Sequence, residues 1–477
     1  MFARPFHSAL VMLYNVLVGV MIVTAQDSNT IIVAPDGQFP TIANALEAAQ
    51  TGDIIEVHGG VYPAPLMIEK SVTLIGIDNP VIDGAGVGTT VIISADDVIL
   101  RGFTIRNTGL NSSHEDSGLV IQAQRVTVED NLLENVLNGI YFAEANDGIA
   151  RNNIVRSYPI DPAVRGDGIR IWYSHNVRLE NNEVAHSRDI LIWYADDVAI
   201  IGNNFHDNRY GLHVMYADNA HVEGNQFTNN SVGTYLMHSA GLRVIGNNLS
   251  YNRGPSGYGL ALKDMDDVIV HDNWFIGNRA GLYIDNSPSL YEGNNEFYNN
   301  VFAYNDIGVT ALPNVQRNNF HNNTFLENMQ QASTQGRGTL QGNSWTVAGQ
   351  GNYWSDYVGY DADANTIGDM PYRAEGLFEN LADDYPQLRF FIYSPASRAV
   401  DMAAAAFPSL RPEPKLIDDA PLTTLPLPDA AIVLQTQTTT NLLFPALLLI
   451  LIGTSPFWAL FQQHYQSLKI GKQGAVS

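Results

Sequence analysis

An asparagine recurs through the middle of the chain at a nearly constant spacing, and this repeat constrains the fold more than any other feature. Successive copies lie 22, 28, 22, 22, 22, 26, 27, 23 and 20 residues apart. A period near 22 with short alternating apolar runs is typical of solenoids, and strands of four or five residues between Asn and Gly turns predict an all-β, right-handed parallel β-helix. The repeating copies are Asn131, Asn153, Asn181, Asn203, Asn225, Asn247, Asn273, Asn300, Asn323 and Asn343.

The repeat also predicts the dimensions of the solenoid. About a dozen coils would stack roughly 4.8 Å apart, so identical residues of successive coils would lie above one another. Stacked asparagine amides can hydrogen-bond along such a column, which explains their recurrence without invoking a function. We therefore expect a rod whose long faces carry columns of equivalent side chains.

A solenoid needs covered ends, because each terminal coil exposes the edge of a strand. The segment TIANALEAAQ has apolar residues at helical spacing, namely Ile42, Ala45, Leu46 and Ala49, and predicts an N-terminal capping helix. The first coils then run through DIIEVHGGVY and VTLIGI. The irregular aromatic segment from Gly351 onward is expected to cover the other end. We assign residues 30–394 to the β-helix domain.

Apolar stretches at both ends of the chain predict export and membrane anchoring. Residues 1–25 have Arg4 ahead of an apolar run and small residues at the end, which indicates a signal peptide, with an uncleaved anchor as the alternative. Residues 442–461 carry no charge and are long enough to cross a bilayer as a helix, with a buried core helix as the alternative. Lys469 and Lys472 follow, so the tail, residues 462–477, is expected in the cytoplasm.

Composition separates the body from this anchor and excludes several classes of protein. Residues 395–441 are rich in Pro, Thr and Ala and are interpreted as a semi-extended spacer. The net charge of −24 argues against nucleic acid as a partner, because phosphate binding needs clustered Lys and Arg. With no cysteine, the chain can form neither disulfides nor thiolate metal sites.

The repeat predicts which side chains point outward. After each repeat glycine, the first and third residues are nearly always apolar and should face the core, so the second and fourth should face solvent. The second residues form the mid-strand row: Tyr141, Arg170, Leu191, His213, Tyr235, Ala261 and Tyr283. The fourth form the strand-end row: Ala143, Trp172, Trp193, Met215, Met237, Lys263 and Asp285. The fifth form the corner row: Glu144, Tyr173, Tyr194, Tyr216, His238, Asp264 and Asn286.

Methionine and histidine come together in two neighbouring repeats, GLHVMY and GTYLMH. Met215 and Met237 are predicted neighbours on the outer face, with His213 and His238 close by. Thioether and imidazole suit Cu(I), so a transient copper site is one interpretation. The other is a docking strip for a protein partner, formed with the aromatic residues of the rows, because such exposed strips usually mark binding surfaces. The aromatic docking residues are Trp172, Trp193, Tyr173, Tyr194 and Tyr216.

Insertions also point to this face. Residues 159–166 and 254–257 both fall just before a repeat glycine. They should therefore project at the same corner of the rod and flank the Met/His face.

The loop DADANTIGD is a second candidate metal site. Asp361, Asp363 and Asn365 have the alternate spacing of a calcium loop, and Asp369 adds a further carboxylate. The sixth position is Thr366 instead of glycine, so the loop is not an EF-hand. Calcium binding and an ordinary acidic surface turn both remain open.

An enzyme is the alternative to a binding protein, because parallel β-helices often process polysaccharides. Lys263, Asp264, Asp266 and Asp285 could form an acidic cleft like that of a lyase or epimerase. The YGFDPH-type motif of mannuronan epimerases is absent, and fold alone does not give function.

Two segments carry a resemblance to a known family. GNYWSDYVGYDADANTIGDMPYR, residues 351–373, resembles the C-terminal signature of NosD-type proteins, which are periplasmic maturation factors of nitrous oxide reductase in denitrification. APDGQFPTIANALEAAQTGDIIEVHGGVY resembles that family's opening, although pectin-lyase-like β-helices share it more widely. The resemblance covers roughly residues 31–393.

The resemblance implies a non-catalytic role. NosD-type proteins work with an ABC transporter, made of a membrane subunit and an ATPase, and with a copper chaperone lipoprotein. They assist assembly of the copper–sulfur cluster of nitrous oxide reductase. The resemblance thus strengthens the copper interpretation of Met215, Met237, His213 and His238. The spacer and the C-terminal membrane helix depart from the usual pattern, and the helix could tether the rod beside its transporter.

Overall fold

The computed structural model describes residues 29–313 and 315–428. Three parallel sheets, which we call A, B and C, run the length of a solenoid, and the chain passes through them in that order in each coil. Sheet C has 12 strands, one for each complete coil. This confirms the predicted parallel β-helix and its number of coils.

The strands are short, and each pairs with its equivalents one coil away. Sheet A comprises Thr30–Val33, Ile54–Val57, Thr73–Gly76, Ile99–Arg101, Thr127–Glu129, Ile149–Arg151, Arg178–Glu180, Ala199–Ile201, His221–Glu223, Arg243–Ile245, Ile269–His271, Asn295–Tyr298 and Asn318–His321. Sheet B comprises Val61–Pro63, Val81–Asp83, Thr104–Arg106, Leu132–Val136, Ile154–Ser157, Glu183–Ala185, Asn204–His206, Gln226–Thr228, Asn248–Ser250, Trp274–Ile276, Val301–Ala303, Thr324–Leu326 and Tyr353–Trp354. Sheet C comprises Leu66–Ile68, Val91–Ile93, Ser117–Ile121, Asn138–Ala143, Ile169–Trp172, Asp189–Trp193, Tyr210–Met215, Val232–Met237, Tyr258–Lys263, Ala280–Asp285, Ile307–Ala311 and Gln330–Thr334.

Columns of identical residue types fill the core. Inward-facing aliphatic side chains of all three sheets are buried, and the later coils add a column of stacked rings. Ring centroids in this column are 4.7, 5.0, 4.3 and 4.3 Å apart, close to the spacing of neighbouring strands. The column consists of Phe275, Phe302, Phe325, Trp354 and Tyr372. Its last two rings belong to the resemblance segment, which therefore continues the core into the C-terminal cap.

The asparagine repeat forms a buried ladder between sheets A and B. Each side-chain NH2 donates to the side-chain oxygen of the next copy at 2.9–3.1 Å. Two predicted members are wrong. Asn181 adopts a left-handed turn with φ 53°, and its neighbour Asn182 occupies the ladder. Asn343 instead accepts from Asn318 in a separate column. The ladder comprises Asn131, Asn153, Asn182, Asn203, Asn225, Asn247, Asn273, Asn300, Asn323 and Asn352.

Helix α1, Ile42–Ala48, lies against the first strands at the N-terminal end, as predicted. The Thr41 hydroxyl caps it by accepting from the Asn44 backbone N–H at 3.2 Å. At the other end, Lys70 Nζ donates to three carbonyl oxygens, those of Leu46, Glu47 and Ala49, each at 2.8 Å. A cation at a helix C-terminus satisfies free carbonyls and the negative end of the dipole. The cap is thus pinned to the first coils.

The C-terminal end is covered by a larger cap. It contains helix α2, Leu377–Asp384, the 3-10 helices Pro386–Phe391 and Pro408–Leu410, and helix α3, Pro395–Ala406. A two-residue strand, Ile417–Asp418, pairs antiparallel with Tyr372–Arg373. Helix α2 contacts the last strand of sheet C, so the cap covers that edge.

Outside the cap, a further 3-10 helix, Pro162–Val164, lies in the first insertion.

Asp418 terminates the asparagine ladder. Its Oδ2 accepts from the Asn352 backbone N–H at 2.7 Å and from its side-chain NH2 at 3.3 Å, as the next asparagine would. The same oxygen accepts from Trp354 Nε1 at 2.9 Å. Gly351 leaves room for this carboxylate, because a Cβ there would lie 1.9 Å from Asp418 Oδ1. Part of the resemblance segment therefore closes the solenoid.

The structure differs from the predicted spacer over residues 395–428. Ser394 accepts from the Ser397 N–H and Pro395 occupies the first turn, which together start helix α3. Lys415 is buried and forms an ion pair with buried Asp383 at 2.6 Å. These contacts fold a Pro- and Ala-rich stretch onto the last coil, because local helix signals and a long-range ion pair outweigh its linker-like composition.

The predicted terminal segments lie outside the described residues. These are the signal peptide, residues 1–25, the membrane helix, residues 442–461, and the tail, residues 462–477. Across residues 29–313 and 315–428, the helices are too short or too polar to cross a bilayer. Anchoring by residues 442–461 therefore stays a prediction.

Candidate functional site

The strand pairing of sheet C aligns the strand-end row along the rod. Trp172 pairs with Trp193, Trp193 with Met215, and Met215 with Met237. Lys263 and Asp285 continue the row. Both methionines are partly exposed. In each strand the residues between the repeat glycine and the methionine are alternately buried in the core and partly exposed. The two sulfur-bearing side chains are therefore direct neighbours on the outer face of successive coils.

Close backbone approach explains the glycine that opens each of these strands. A Cβ at Gly211 would lie 2.6 Å from the Gly233 carbonyl oxygen, and one at Gly233 would lie 2.5 Å from that of Gly259. Such contacts exclude ordinary side chains at this position. The glycines thus keep equivalent residues of successive coils in register.

The Nδ1 atom of His213 contacts the buried carboxylate of Asp189. Its Nδ1 lies 3.3 Å from Asp189 Oδ2, and the His213 side chain is 12% exposed. Asp189 also accepts from Arg209 Nε at 2.8 Å. Burial raises the pKa of Asp189, but hydrogen bonds from His213 and Arg209 outweigh it and leave that pKa below its ordinary value. Because a carboxylate only accepts, it places the ring hydrogen on Nδ1.

The other nitrogen of His213 has no hydrogen-bond partner in the described chain. His213 Nε2 is buried, and so is unpartnered Trp193 Nε1. The ring packs edge-on to Tyr210 with centroids 5.0 Å apart and lies 6.1 Å from Tyr235. An unused imidazole lone pair within an aromatic surround is available to a soft metal ion.

The corner row is a continuous stack. Ring centroids of Tyr173, Tyr194, Tyr216 and His238 are 4.8, 5.1 and 4.9 Å apart, with planes within 16° of parallel. His238 Nδ1 lies 3.3 Å from Asp264 Oδ2, so this ring too has a carboxylate at Nδ1. All four residues have left-handed backbone, with φ between 44° and 52°. The corner residues Glu144, Asp264 and Asn286 of other coils are left-handed as well, so this conformation belongs to the turn that every one of these coils makes.

Four predicted copper ligands thus occupy two neighbouring coils, with Met215 opposite Met237 and each histidine bearing a carboxylate at Nδ1. Within residues 29–313 and 315–428, no three His, Asp or Glu side chains form an arrangement that could hold a metal ion. A metal site on this face would therefore depend on thioether sulfur, which favours Cu(I) over hard cations.

The insertions flank this face at one corner, as predicted. Pro162, Ala163 and Arg165 of the first insertion and Gly254 of the second line the same open cleft, about 490 Å³ in volume. The aromatic docking residues and this cleft therefore belong to the same group of coils.

The acidic loop uses its oxygens internally. Asp361 accepts from the backbone N–H groups of Asn365 and Thr366 at 3.2 and 2.8 Å, and Asp369 accepts from that of Ala362 at 2.8 Å. Asp363 accepts from the Asn365 side chain at 3.0 Å. These contacts are typical of an acidic surface turn, and calcium binding by this loop stays a prediction.

The candidate enzymatic residues are divided between two structural roles. Lys263 and Asp285 are paired in register on the outer face, and burial raises the pKa of Asp285. Asp264 is engaged with His238. Asp266 is buried and accepts from the Leu290 N–H at 2.8 Å and the Ser289 hydroxyl at 2.6 Å, which holds the following loop.

Sequence reasoning missed Asp189 and Arg209. A signal was present, because Asp189 stands at the position where the preceding repeat has Gly168, although it pairs with Tyr210 of the following coil. A carboxylate at a repeat position that otherwise holds glycine predicts a specific polar contact for that side chain.

Comparisons with known proteins bear on this site. The family model described as "Periplasmic copper-binding protein (NosD)" matches residues 155–359, which include both Met/His coils. A protein of Stutzerimonas stutzeri named "Probable ABC transporter binding protein NosD" is 27% identical over 434 residues, covering 88% of this chain and 95% of that protein. One of the same name from Pseudomonas aeruginosa is 28% identical over 379 residues, covering 77% and 87%. These matches confirm the NosD-type resemblance.

A solved structure agrees at the level of fold. The catalytic domain of a GH87 alpha-1,3-glucanase, in complex with tetrasaccharides, superposes with a TM-score of 0.53 and 12% identity, covering 69% of this chain and 70% of that one. At this identity the likeness shows a shared β-helix and nothing about substrate.

Proposed function

We propose that this chain is a NosD-type accessory protein that works outside the cytoplasm and assists assembly of the copper–sulfur cluster of nitrous oxide reductase. Its similarity to a periplasmic copper-binding family and to proteins named as binding an ABC transporter supports this role. Its partners would be the transporter's membrane subunit and ATPase, a copper chaperone lipoprotein and the reductase. It would be non-catalytic, with copper as cargo.

We further propose that Met215, Met237, His213 and His238 hold Cu(I) in transit. The observation that carries this is the register of Met215 over Met237 on a face where both histidines present Nδ1 to a carboxylate. The carboxylates fix the rings, and the Nε2 lone pairs join two thioethers as soft donors. Neutral ligands without thiolates suit a site that must release its ion.

The aromatic part of the face is proposed to dock a protein partner. Trp172, Trp193 and the stacked tyrosines of the corner row lie directly beside the methionines, and Tyr173 and Tyr216 are 45% and 44% exposed. Rigid amphipathic rings give contact area at low entropic cost. Cargo and partner would then meet on the same coils.

Replacing Met215 and Met237 by leucine tests the copper site, since both changes keep an apolar face and remove the sulfurs. We expect Cu(I) affinity, measured by competition with a chromophoric chelator, to fall tenfold or more, equivalent to about 1.4 kcal/mol. In cells lacking the chain, this variant should leave exported reductase without its copper–sulfur cluster spectrum, whereas the wild-type chain restores it.

Met67→Leu is the matched control, because Met67 lies on the outer face of the same sheet, opposite Ile92 and away from any Met/His pair. Unchanged Cu(I) affinity in the double variant would eliminate this site. Normal nitrous oxide reduction in cells without the chain would overturn the maturation role itself, and uronate polysaccharides should then be tested as substrates.

A further inference from the structure

The C-terminal cap carries an unusual concentration of exposed apolar side chains. Of the 25 large hydrophobic residues exposed in the described parts of the chain, seven lie within residues 385–411. Phe390 is 90% exposed, Tyr393 68%, Tyr385 56% and Phe391 55%. Exposed clusters of this kind mark interaction surfaces.

This aromatic surface is held rigidly in place. Arg389, between the apolar residues of Pro386–Phe391, points back to the last coil, where its Nε donates to Gln330 Oε1 at 3.0 Å and its Nη2 to the Ser333 hydroxyl at 3.1 Å. With the Arg389 side chain directed toward the last coil, Phe390 and Phe391 beside it are left exposed. The exposure of Phe390 therefore follows from specific contacts and not from a loose end.

Helix α3 extends the surface. Ala399, Met402, Ala403 and Ala406 recur at helical spacing and are all exposed, and Met402 is 72% exposed. Only Ser397 and Ala404 of this helix are buried. An apolar stripe on the solvent side of a surface helix is the reverse of the usual arrangement.

Charge distinguishes this region from the rest of the molecule. Residues 385–411 contain a single acidic residue, Asp401, although the whole chain has a net charge of −24. Of the three arginines in this stretch, Arg389 points to the last coil, Arg411 lies 3.7 Å from Glu375, and Arg398 is exposed. A membrane surface with phosphate headgroups repels an acidic rod, but it can accept a region with exposed aromatic rings and almost no carboxylates.

Chain length places a membrane within reach. The last described residue is Pro428, and the predicted membrane helix begins at residue 442, so 13 residues connect them. Fully extended, these reach at most about 45 Å. The chain passes the last coil just before this point, where the Thr324 hydroxyl donates to the Pro426 carbonyl oxygen.

We infer that residues 385–411 form a membrane-contact surface, with Phe390, Phe391 and the apolar stripe of α3 inserted at the headgroup level of the bilayer. This rests on the predicted anchor and is independent of the copper site. It gives the tethered rod a second attachment and so restrains its orientation above the membrane.

The absence of native cysteine makes a direct test simple. Single variants Phe390→Cys and Met402→Cys carry an environment-sensitive fluorophore in the full chain, reconstituted into phosphatidylcholine vesicles with nitroxide-labelled lipid. We expect blue-shifted emission and quenching by the lipid nitroxide at both positions. Val87→Cys, at a position 76% exposed near the other end of the rod, should show neither effect.

Each other outcome contradicts the inference. Labels at 390 and 402 that remain open to aqueous iodide would show that the cap stands clear of the bilayer. A blue shift that needs added transporter and shows no lipid quenching would assign the surface to a protein partner. Co-sedimentation with vesicles reports separately on the predicted anchor, and Cu(I) titration of the same samples reports on the proposed function.

Discussion

A single departure from the repeat creates the buried polar contact behind His213. The preceding repeat has Gly168 where this coil has Asp189, and in the following coil Asp189 pairs with Tyr210. Asp189 is accommodated by a register shift between Asp189 and Leu191 in its pairing with the following strand. The displaced carboxylate then meets Arg209 and His213. One residue thus converts a packing position into support for a candidate ligand.

Asp189→Asn should weaken both the site and the fold. We expect Cu(I) affinity to fall about tenfold, as for other groups that orient metal-bound histidines, and stability at pH 7 to fall by about 1–3 kcal/mol. The folded pKa of Asp189 is lowered, so its contribution is present above the unfolded pKa of about 3.9 and is lost as pH falls through the folded pKa. Denaturant unfolding of both proteins between pH 3 and 7 measures this.

The comparison variant is Asp207→Asn, which removes an exposed carboxylate beside His206. It should leave Cu(I) affinity unchanged. A stability difference between wild type and Asp189→Asn that stays constant down to pH 3 would show that Asp189 acts without its charge.

At the level of elements, the motif GNYWSDY forms the C-terminal end of the β-helix. Within GNYWSDY, Asn352 ends the ladder and Trp354 lies in the core ring column. The Trp354 indole N–H and the Asn352 backbone N–H both need an acceptor at the last coil, and Asp418 supplies one oxygen for both. The motif therefore marks the end of the rod, and the candidate copper coils lie elsewhere.

Asp418→Ala should destabilise the C-terminal coils. It leaves the buried N–H groups of Asn352 and Trp354 without an acceptor, and we expect a loss of about 2–4 kcal/mol. Because coils of a solenoid contact only their neighbours, amide exchange should accelerate in the last strands before the first ones. Asp419→Ala, at the exposed neighbouring position, is the control and should change neither. Equal acceleration along the whole rod would contradict a local capping role.

The chain is acidic, and its described residues 29–313 and 315–428 form a rod whose candidate site lies along one side and whose cap covers one end. The Met/His coils belong to the middle of sheet C, and the aromatic surface belongs to the cap beyond its last strand. On the proposals above, cargo and protein partner would meet on the Met/His coils while the cap contacts the membrane. This arrangement suits an accessory protein that must stay near a transporter.

Truncation before residue 441 should weaken association with the transporter without unfolding the rod. The predicted helix at residues 442–461 would raise the effective concentration of the rod beside its transporter, and its loss removes that gain without removing a contact. We expect co-purification with the transporter to fall while the truncated rod keeps its thermal unfolding midpoint. Full co-purification of the truncated chain would show that surface contacts suffice.

The sequence by itself determined what repeats. Each coil contacts only its neighbours at one spacing, so period and alternation suffice to predict the β-helix, its number of coils, α1 and the outward rows. Met215 could be placed beside Met237 for this reason. The aromatic cover from Gly351 onward was also predictable, because a solenoid must be closed.

Only the tertiary structure decided what does not repeat. It selected Asn182 over Asn181 for the ladder, placed Asp189 behind His213 and folded residues 395–428 into the cap. The contacts responsible are aperiodic: Asp418 contacts Trp354 across 64 residues, and Lys415, just before the last strand, pairs with Asp383 of helix α2. A local pattern carries no information about such pairs, because they form only when the last coil is in place and its free edge must be satisfied.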